Sequence, residues 1–144
     1  MYHERKQVAN EGWYWDGEAD GAGILWGGCV ESLLLQVAAE SMPPAWVVEY
    51  LLTGLGERGW LAGVQAVLVG RPKAWDFAHP LAVAEQAAYR QQQRAAVVLA
   101  VRRYNTRVPI VQNMDFGHTD PQLMLPSGRL ARVLGSPQRV FFTY

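Results

Sequence analysis

Residue types that can perform acid–base chemistry meet in one stretch near the end of the chain. "VQNMDFGHTDPQLMLPSG" (111–128) places His118 between Gly117 and Thr119, with Asp115 and Asp120 close by. A histidine on a loop that follows a buried strand can act as a general base, because the strand aims the loop and imidazole titrates near neutral pH. A solvated surface histidine is the other interpretation. Asp115 could orient the imidazole or could be structural.

Other reactive side chains have weaker settings. HExxH, CxxC and GxSxG patterns do not occur, and the three histidines are far apart in the chain, so no metal site and no hydrolase elbow is predicted. Cys29 follows Gly27 and Gly28 and could be a reactive thiol at a helix N-terminus, or a small buried residue. Glu31, two residues later, could line a cleft, and Glu40 stands near a helix start.

Composition is that of one globular domain. The 144 residues are 50% apolar and 18% charged, with 13 basic and 13 acidic side chains and no net charge. Nucleic-acid and anionic-membrane binders need a concentrated positive field, so neither partner is expected. One cysteine excludes an internal disulfide, and we see neither a signal peptide nor an apolar run of membrane-spanning length. A cytoplasmic location is therefore predicted.

Hydrophobic periodicity predicts the elements that would position these residues. Strands are indicated at "GWYW" (12–15, a short strand or docked arm), "AGILW" (22–26), "VQAVLVG" (64–70), "VPIVQN" (108–113), "LMLP", "RLARVLG" and "RVFFTY". The segment 29–40 fits a helix or a helix followed by a strand. The chain holds six tryptophans, and we expect most of them in the core and several at a cleft.

Two helices have clear patterns. "SMPPAWVVEYLLTGLGERG" (41–59) predicts a helix capped by Ser41, with two prolines in its first turn and with Gly54 and Gly56 at its end. The segment 81–104 is the longest helical pattern, and Asn105 is the expected C-terminal cap. The cluster "RRYNTR" (102–107) then suits a helix C-terminus, where positive charge is favourable.

Five blocks in order resemble one family. They are "LWGGCVESL", "ESMPPAWVVEYLL", "GLGERGWLAGVQAVLVGRPK", "AAYRQQQRAAVVLAVRRYN" and "VPIVQNMDFGHTDPQLMLPSG". Together they are similar to the C-terminal domain of the LD-carboxypeptidases and microcin C immunity proteins, from about Gly12 to the end. The resemblance implies an α/β fold, a β-rich single domain of the swivelling β/β/α type. It divides the chain into an arm or strand at 1–20 and the family domain at 21–144.

The resemblance also implies an activity. Members of this family are serine peptidases without metal or cofactor, whose Ser-Glu-His triad cleaves an amide in a muropeptide or a peptidyl-nucleotide, a peptide-like small substrate. By this resemblance His118 is the triad histidine, which takes the serine proton and returns it to the leaving group. Trp26, Gly27, Gly28 and Glu31 match the block beside the cleft and are the expected substrate-binding residues.

Two departures from the family predict that the chain is inactive alone. The serine belongs to an N-terminal domain that the resemblance does not cover, and alignment back from the prolines puts Val37, beside Gln36, at the position of the triad glutamate. Glu31 or Glu40 could replace that glutamate. Since triad members act as a unit, a histidine without them gives almost no acyl transfer.

Three alternatives remain open. The chain could be a non-catalytic module that binds a ligand or forms a homodimer through an apolar face with Trp13, Trp15 and Trp26. It could supply His118 to a nucleophile domain on a separate chain. It could also be a complete enzyme that uses Cys29 or a serine.

Overall fold

The computed structural model describes residues 11–28, 42–74, 80–117, 119 and 121–144. Several predictions concern positions outside these ranges. They are the roles of His118, Glu31, Cys29, Glu40 and Val37, the cap at Ser41 and the conformation of 29–40.

The described chain is a mixed α/β domain, as the sequence predicted. Its strands are β1 (Tyr14–Asp16), β2 (Gly21–Ile24), β3 (Val67–Gly70), β4 (Ile110–Met114), β5 (Leu130–Leu134) and β6 (Arg139–Phe142). Its helices are α1 (Ala45–Glu57), α2 (Trp60–Gly63) and α3 (Val83–Tyr104).

The strands form two three-stranded sheets. In the first, β4 lies between β1, which is antiparallel to it, and β3, which is parallel to it. The second is the antiparallel sheet β2-β5-β6. Strand β1 therefore joins the first sheet, and the strand prediction for "GWYW" is confirmed.

Two apolar clusters define three layers. One joins the helices to one face of the first sheet and centres on Val97, Val101 and Ile110. The other lies between the two sheets, where Val111, Met114 and Val133 pack with half-buried aromatic rings. The order is thus sheet, sheet, helices, which confirms the predicted β/β/α architecture.

A bulge interrupts the alternation of β4. From one paired position to the next, β3 advances two residues, Leu68 to Gly70, while β4 advances three, Val111 to Met114. Asn113 takes up the extra residue with a left-handed φ of 63°. Val111 and Met114 therefore both face the second sheet, which a regular strand would not allow.

Helix α1 begins and ends differently from the prediction. Pro44 is its N-cap, so both prolines precede the first turn, and the helix continues through Gly54 and Gly56 to Glu57. Gly56 is buried inside it because α3 approaches closely there: a Cβ on Gly56 would lie 2.2 Å from the Tyr104 ring. Packing, not helix termination, requires that glycine. The helix over 81–104 and its cap at Asn105 are confirmed.

Other expectations were wrong in part. "LMLP" is not a strand, because its backbone is drawn into the loop that closes on Asp115. Trp13 and Trp15 pack between the sheets, whereas Trp26, Trp46 and Trp60 are more than half exposed. In the described ranges, no helix is long and apolar enough to cross a membrane.

Candidate active-site edge

At one edge of the first sheet, polar side chains from three strand ends lie close together. Strands β3 and β4 are parallel, so the residues that follow them, Arg71 and Asp115, leave the sheet on the same side. Strand β1 is antiparallel to β4, so Trp13, which precedes it, reaches that side as well. The pairing of these hydrophobic strands therefore brings an indole, a guanidinium and a carboxylate close together.

Asp115 is held by both of its neighbours at this edge. Arg71 Nη2 donates to Asp115 Oδ1 at 2.5 Å, and Trp13 Nε1 donates to Oδ2 at 3.0 Å. The Arg71 and Asp115 side chains are 13% and 20% exposed. Charge-assisted hydrogen bonds in such a poorly solvated place are strong and directional. Both carboxylate oxygens are engaged by the scaffold, which favours a structural role for Asp115 over direct orientation of an imidazole.

The loop that carries position 118 is closed at its base. The amide of Leu123 donates to the Asp115 carbonyl, and the side chain of Gln122 donates to the Gly117 carbonyl. Thr119 Oγ1 bonds the Pro121 carbonyl at 3.0 Å, and Gly117 has a φ of 89° that suits glycine. His118 and Asp120 lie outside the described residues, and the flanking residues fix where the loop leaves and returns.

Gly70 allows the chain to cross the end of β3. A Cβ there would lie 2.5 Å from the Phe116 carbonyl oxygen and 3.0 Å from the Phe116 ring. The Arg71 and Phe116 amides both donate to the Met114 carbonyl at 2.8 Å. The glycine that closes "VLVG" is therefore part of the same edge.

Three predicted substrate-side residues follow β2. The Leu25 amide donates to the Arg129 carbonyl at 2.7 Å, and the Gly128 amide donates to the Leu25 carbonyl at 2.8 Å. These bonds join the "WGG" block, with Trp26, Gly27 and Gly28, to the end of the histidine block. Trp26 is 65% exposed and meets Trp60 edge-to-face at 5.4 Å between ring centroids. Glu31, the fourth residue, lies outside the described ranges.

Buried polar atoms without a partner occur within β4 and directly beside its end. Among the described side chains, Arg71 Nε, Gln112 Oε1 and Asn113 Oδ1 are buried without a hydrogen-bond partner. Buried polar groups are nearly always paired, so such a concentration marks an unusual part of the fold. In the described ranges, no three His, Cys, Asp or Glu side chains cluster.

Sequence reasoning missed Trp13 and Arg71. The sequence predicts a strand or arm at Trp13 and ends a strand just before Arg71, and it links neither residue to Asp115. The available signal was that Arg71 directly follows the glycine-closed strand "VLVG", next to a second buried strand that ends before Asp115. Parallel pairing of those strands would have brought the two charges together.

Solved structures share this fold. An MccF-like protein from Streptococcus pneumoniae in complex with AMP superposes with a TM-score of 0.68 at 21% identity, over 95% of this chain and 45% of that one. Microcin C7 self-immunity protein MccF in complex with aspartyl sulfamoyl adenosine gives 0.66 at 17% identity, over 98% and 43%. Its complex with glutamyl sulfamoyl guanosine gives 0.67 at 17% identity, over the same shares.

The chain therefore spans less than half the length of these structural relatives. A search of curated proteins finds no match. The family described as the LD-carboxypeptidase C-terminal domain matches residues 22–133, which is most of the chain and runs from β2 to β5. The chain belongs to the LD-carboxypeptidase C-terminal domain family.

Proposed function

We propose that this domain is the histidine-bearing part of a serine peptidase that hydrolyses an amide in a muropeptide or a peptidyl-nucleotide. His118 is the general base and acid of the Ser-Glu-His triad. The observation that carries the proposal is the anchoring of Asp115 by Arg71 and Trp13, because it fixes the start of the loop that bears this histidine. A catalytic base must be held in place for its proton transfer to be efficient.

The block after β2 supplies the substrate side of this proposal. Trp26 exposes an indole beside Gly27 and Gly28, and a Cβ on either glycine would have no described atom within 4 Å. An exposed indole can stack on a flat ligand, and open glycine backbone lets a ligand approach closely. The relatives named above bind AMP, an aspartyl adenosine derivative and a glutamyl guanosine derivative, which supports a ligand of amino acid and nucleotide.

A polypeptide of these 144 residues alone is proposed to be inactive. The serine of the family comes from its N-terminal domain, and Val37 stands at the position of the triad glutamate. A histidine that lacks both partners has no nucleophile to activate and no carboxylate to stabilise its charged form.

Hydrolysis assays test the proposal. The purified chain, wild type, His118→Ala and His79→Ala, is incubated with an LD-linked tetrapeptide and with a peptidyl-adenylate conjugate. Each protein is assayed alone and with an added N-terminal domain of a family peptidase. We expect no turnover by the chain alone. In the mixture we expect turnover that is weak, because the triad glutamate is still missing, and that His118→Ala abolishes and His79→Ala retains.

Other outcomes contradict separate parts of the proposal. Turnover by the chain alone that requires His118 would show a nucleophile within it, and Cys29→Ala would then test that thiol. Turnover that survives His118→Ala would remove the role of the histidine. A mixture with no turnover would exclude peptidase function of this domain in trans.

A second candidate is a binding or self-associating module. The outer face of the β2-β5-β6 sheet exposes Ile24, Leu130 and Phe141, each about half exposed or more. Exposed apolar side chains that adjoin one another favour an interface. Light scattering tests self-association: a mass of 16.1 kDa contradicts it, and twice that mass, lost in Phe141→Glu, supports it.

A further inference from the structure

The direction in which the chain leaves β4 is set before the loop begins. Asn113 is 1% exposed and left-handed, and its Nδ2 donates to the Gly12 carbonyl at 2.7 Å. The bulge at Asn113 turns Met114 to the second sheet and rotates the backbone that follows. Bulges of this kind re-aim the residues beyond them.

Asp115 then ties three strand ends to one carboxylate. Trp13 belongs to the chain that enters β1, Arg71 to the chain that leaves β3, and Asp115 itself to the chain that leaves β4. Its own carbonyl accepts the amide of Leu123, where the loop returns. The side chain and the backbone of one residue thus hold the sheet and both ends of the loop.

Stability alone does not account for this arrangement. A partly buried ion pair is often no more stabilising than apolar residues of the same volume, since both charges lose water. Here the guanidinium also keeps a buried Nε without a described partner. Destabilising features such as unpaired buried polar atoms occur most often where precise geometry is needed for function.

We propose that Asp115 is the positioning residue of the His118 loop: clamped by Arg71 and Trp13, it sets where the imidazole stands without touching the reacting atoms. The importance of that position rests on the proposed function. The clamp itself is a property of this chain and can be tested without turnover.

The test is side-chain NMR of His118 in the full 144-residue chain. A His3→Gln/His79→Gln background leaves one histidine, so its imidazole signals are assigned directly. Asp115→Asn keeps the shape of the side chain but removes its charge. The matched control is Asp16→Asn, which removes the charge of the other Arg–Asp pair, at the opposite end of β4.

Asp115→Asn is expected to shift or broaden the His118 imidazole signals and the amide signals of 116–123. Trp13→Phe, which removes one N–H donor, is expected to move the same signals less. Asp16→Asn is expected to leave them in place although it lowers the melting temperature. Unchanged His118 signals in Asp115→Asn, with a loss of stability like that of Asp16→Asn, would overturn the proposal. If Asp115→Asn does not fold, Trp13→Phe decides by the same criterion.

These results separate the two proposals. Shifted His118 signals together with no turnover in the complemented assay would uphold the positioning role and reject the peptidase function. Turnover that requires His118, with signals indifferent to Asp115, would do the reverse.

Discussion

The two ends of β4 each carry an Arg–Asp pair, and the two pairs are built differently. At the beginning of the strand, Arg102 Nε donates to Asp16 Oδ1 at 2.8 Å and Nη2 donates to the Asp16 carbonyl at 3.0 Å. Nη1 donates to the carbonyls of Asn105 and Val108 at 3.2 and 2.7 Å. Every nitrogen of this guanidinium has a partner.

Asn105 extends this satisfied network. Its Nδ2 donates to the carbonyls of Leu61 and Val64 at 3.1 and 3.3 Å, and its Oδ1 accepts the amide of Val108 at 3.0 Å. One side chain thereby ties the ends of α3 and α2 to the chain that enters β4. Networks in which all members are paired rigidify a fold.

In the second half of β4 and beside its end, some buried polar atoms have no partner. Arg71, Gln112 and Asn113 each bury a polar atom without a described partner, and Asn113 is left-handed. The presence of an Arg–Asp pair alone therefore does not reveal its role. A fully paired guanidinium indicates a structural tie, and an incompletely paired one beside a bulge marks the candidate site proposed above.

The largest loss of stability is expected at the beginning of β4, where every guanidinium nitrogen of Arg102 has a partner. Arg102→Ala leaves the Asp16 carboxylate and three carbonyls without their donor, so it should lower the free energy of unfolding by about 2–4 kcal/mol. The matched control is Arg103→Ala, because Arg103 is 51% exposed and its pair with Glu49 spans 3.6 Å. That surface pair should contribute about 0–1 kcal/mol.

Denaturant unfolding measures both variants, and NMR reports His118. The comparison holds if Arg102→Ala is the less stable variant and the His118 signals do not move. If Arg102→Ala shifts those signals, the two ends of β4 are coupled through the strand and do not have separate roles.

A smaller loss is expected for the bulge residue. Asn113→Ala keeps a Cβ in the left-handed region but loses the short polar side chain that makes this conformation tolerable, and it removes the bond to Gly12, which together should cost about 2–3 kcal/mol. Asn113→Gly keeps the conformation accessible and loses only the side chain, about 1 kcal/mol.

Unfolding curves of the two variants give the conformational part by difference. Equal losses would mean that backbone conformation is not what Asn113 supplies, and the contrast between the ends of β4 would rest on hydrogen bonding alone.

The sequence predicts a feature of these regions when local patterns determine it, and fails when contacts between distant residues determine it. Strand alternation and helical period predicted β3, β4 and α3 because those patterns are local and the core selects them. The bulge was not predictable, since "IVQNM" continues a buried strand without glycine. The clamp on Asp115 was missed because Trp13 is 102 residues away and Arg71 is 44 residues away, so only strand order brings them together. His118 was singled out by its motif, and its role stays a prediction.

Substitution of two glycines in α1 tests how rigid the structure is around the beginning of β4. Tyr104 ends α3 directly before Asn105, and its ring fills the space beside Gly56. Gly56→Ala must displace that ring and should cost about 1–3 kcal/mol. Gly54→Ala is its control in the same helix: no described atom lies within 4 Å, so alanine should stabilise the helix by about 0.5–1 kcal/mol.

Opposite signs in thermal unfolding are the expected result. Stabilisation by both substitutions would show that α1 and α3 can separate without cost, and the region that precedes β4 would then be softer than its hydrogen bonds indicate.

The smallest effect concerns the outermost contact of that region. Tyr104 Oη donates to Glu57 Oε1 at 2.6 Å, and this hydrogen bond to a carboxylate is the main reason that the pKa of Tyr104 is raised above its usual value, followed by desolvation and repulsion from the Glu57 charge. A raised folded-state pKa favours the protonated phenol in the native protein. The contact therefore stabilises the fold from neutral pH up to the unfolded tyrosine pKa, and its contribution is lost as the pH rises through the folded pKa.

Glu57→Gln should lower the Tyr104 pKa toward its ordinary value, because a neutral amide neither repels the phenolate nor accepts as strong a hydrogen bond. Alkaline titration of phenolate absorbance, with Tyr104→Phe subtracted to isolate one tyrosine, measures that change. The same titration in Arg102→Ala tests whether the network around Arg102 also holds the end of α3. If the network around Arg102 holds the end of α3 rigidly, its loss lets Tyr104 move away from Glu57 and the pKa falls; an unchanged pKa would confine the network to the start of β4.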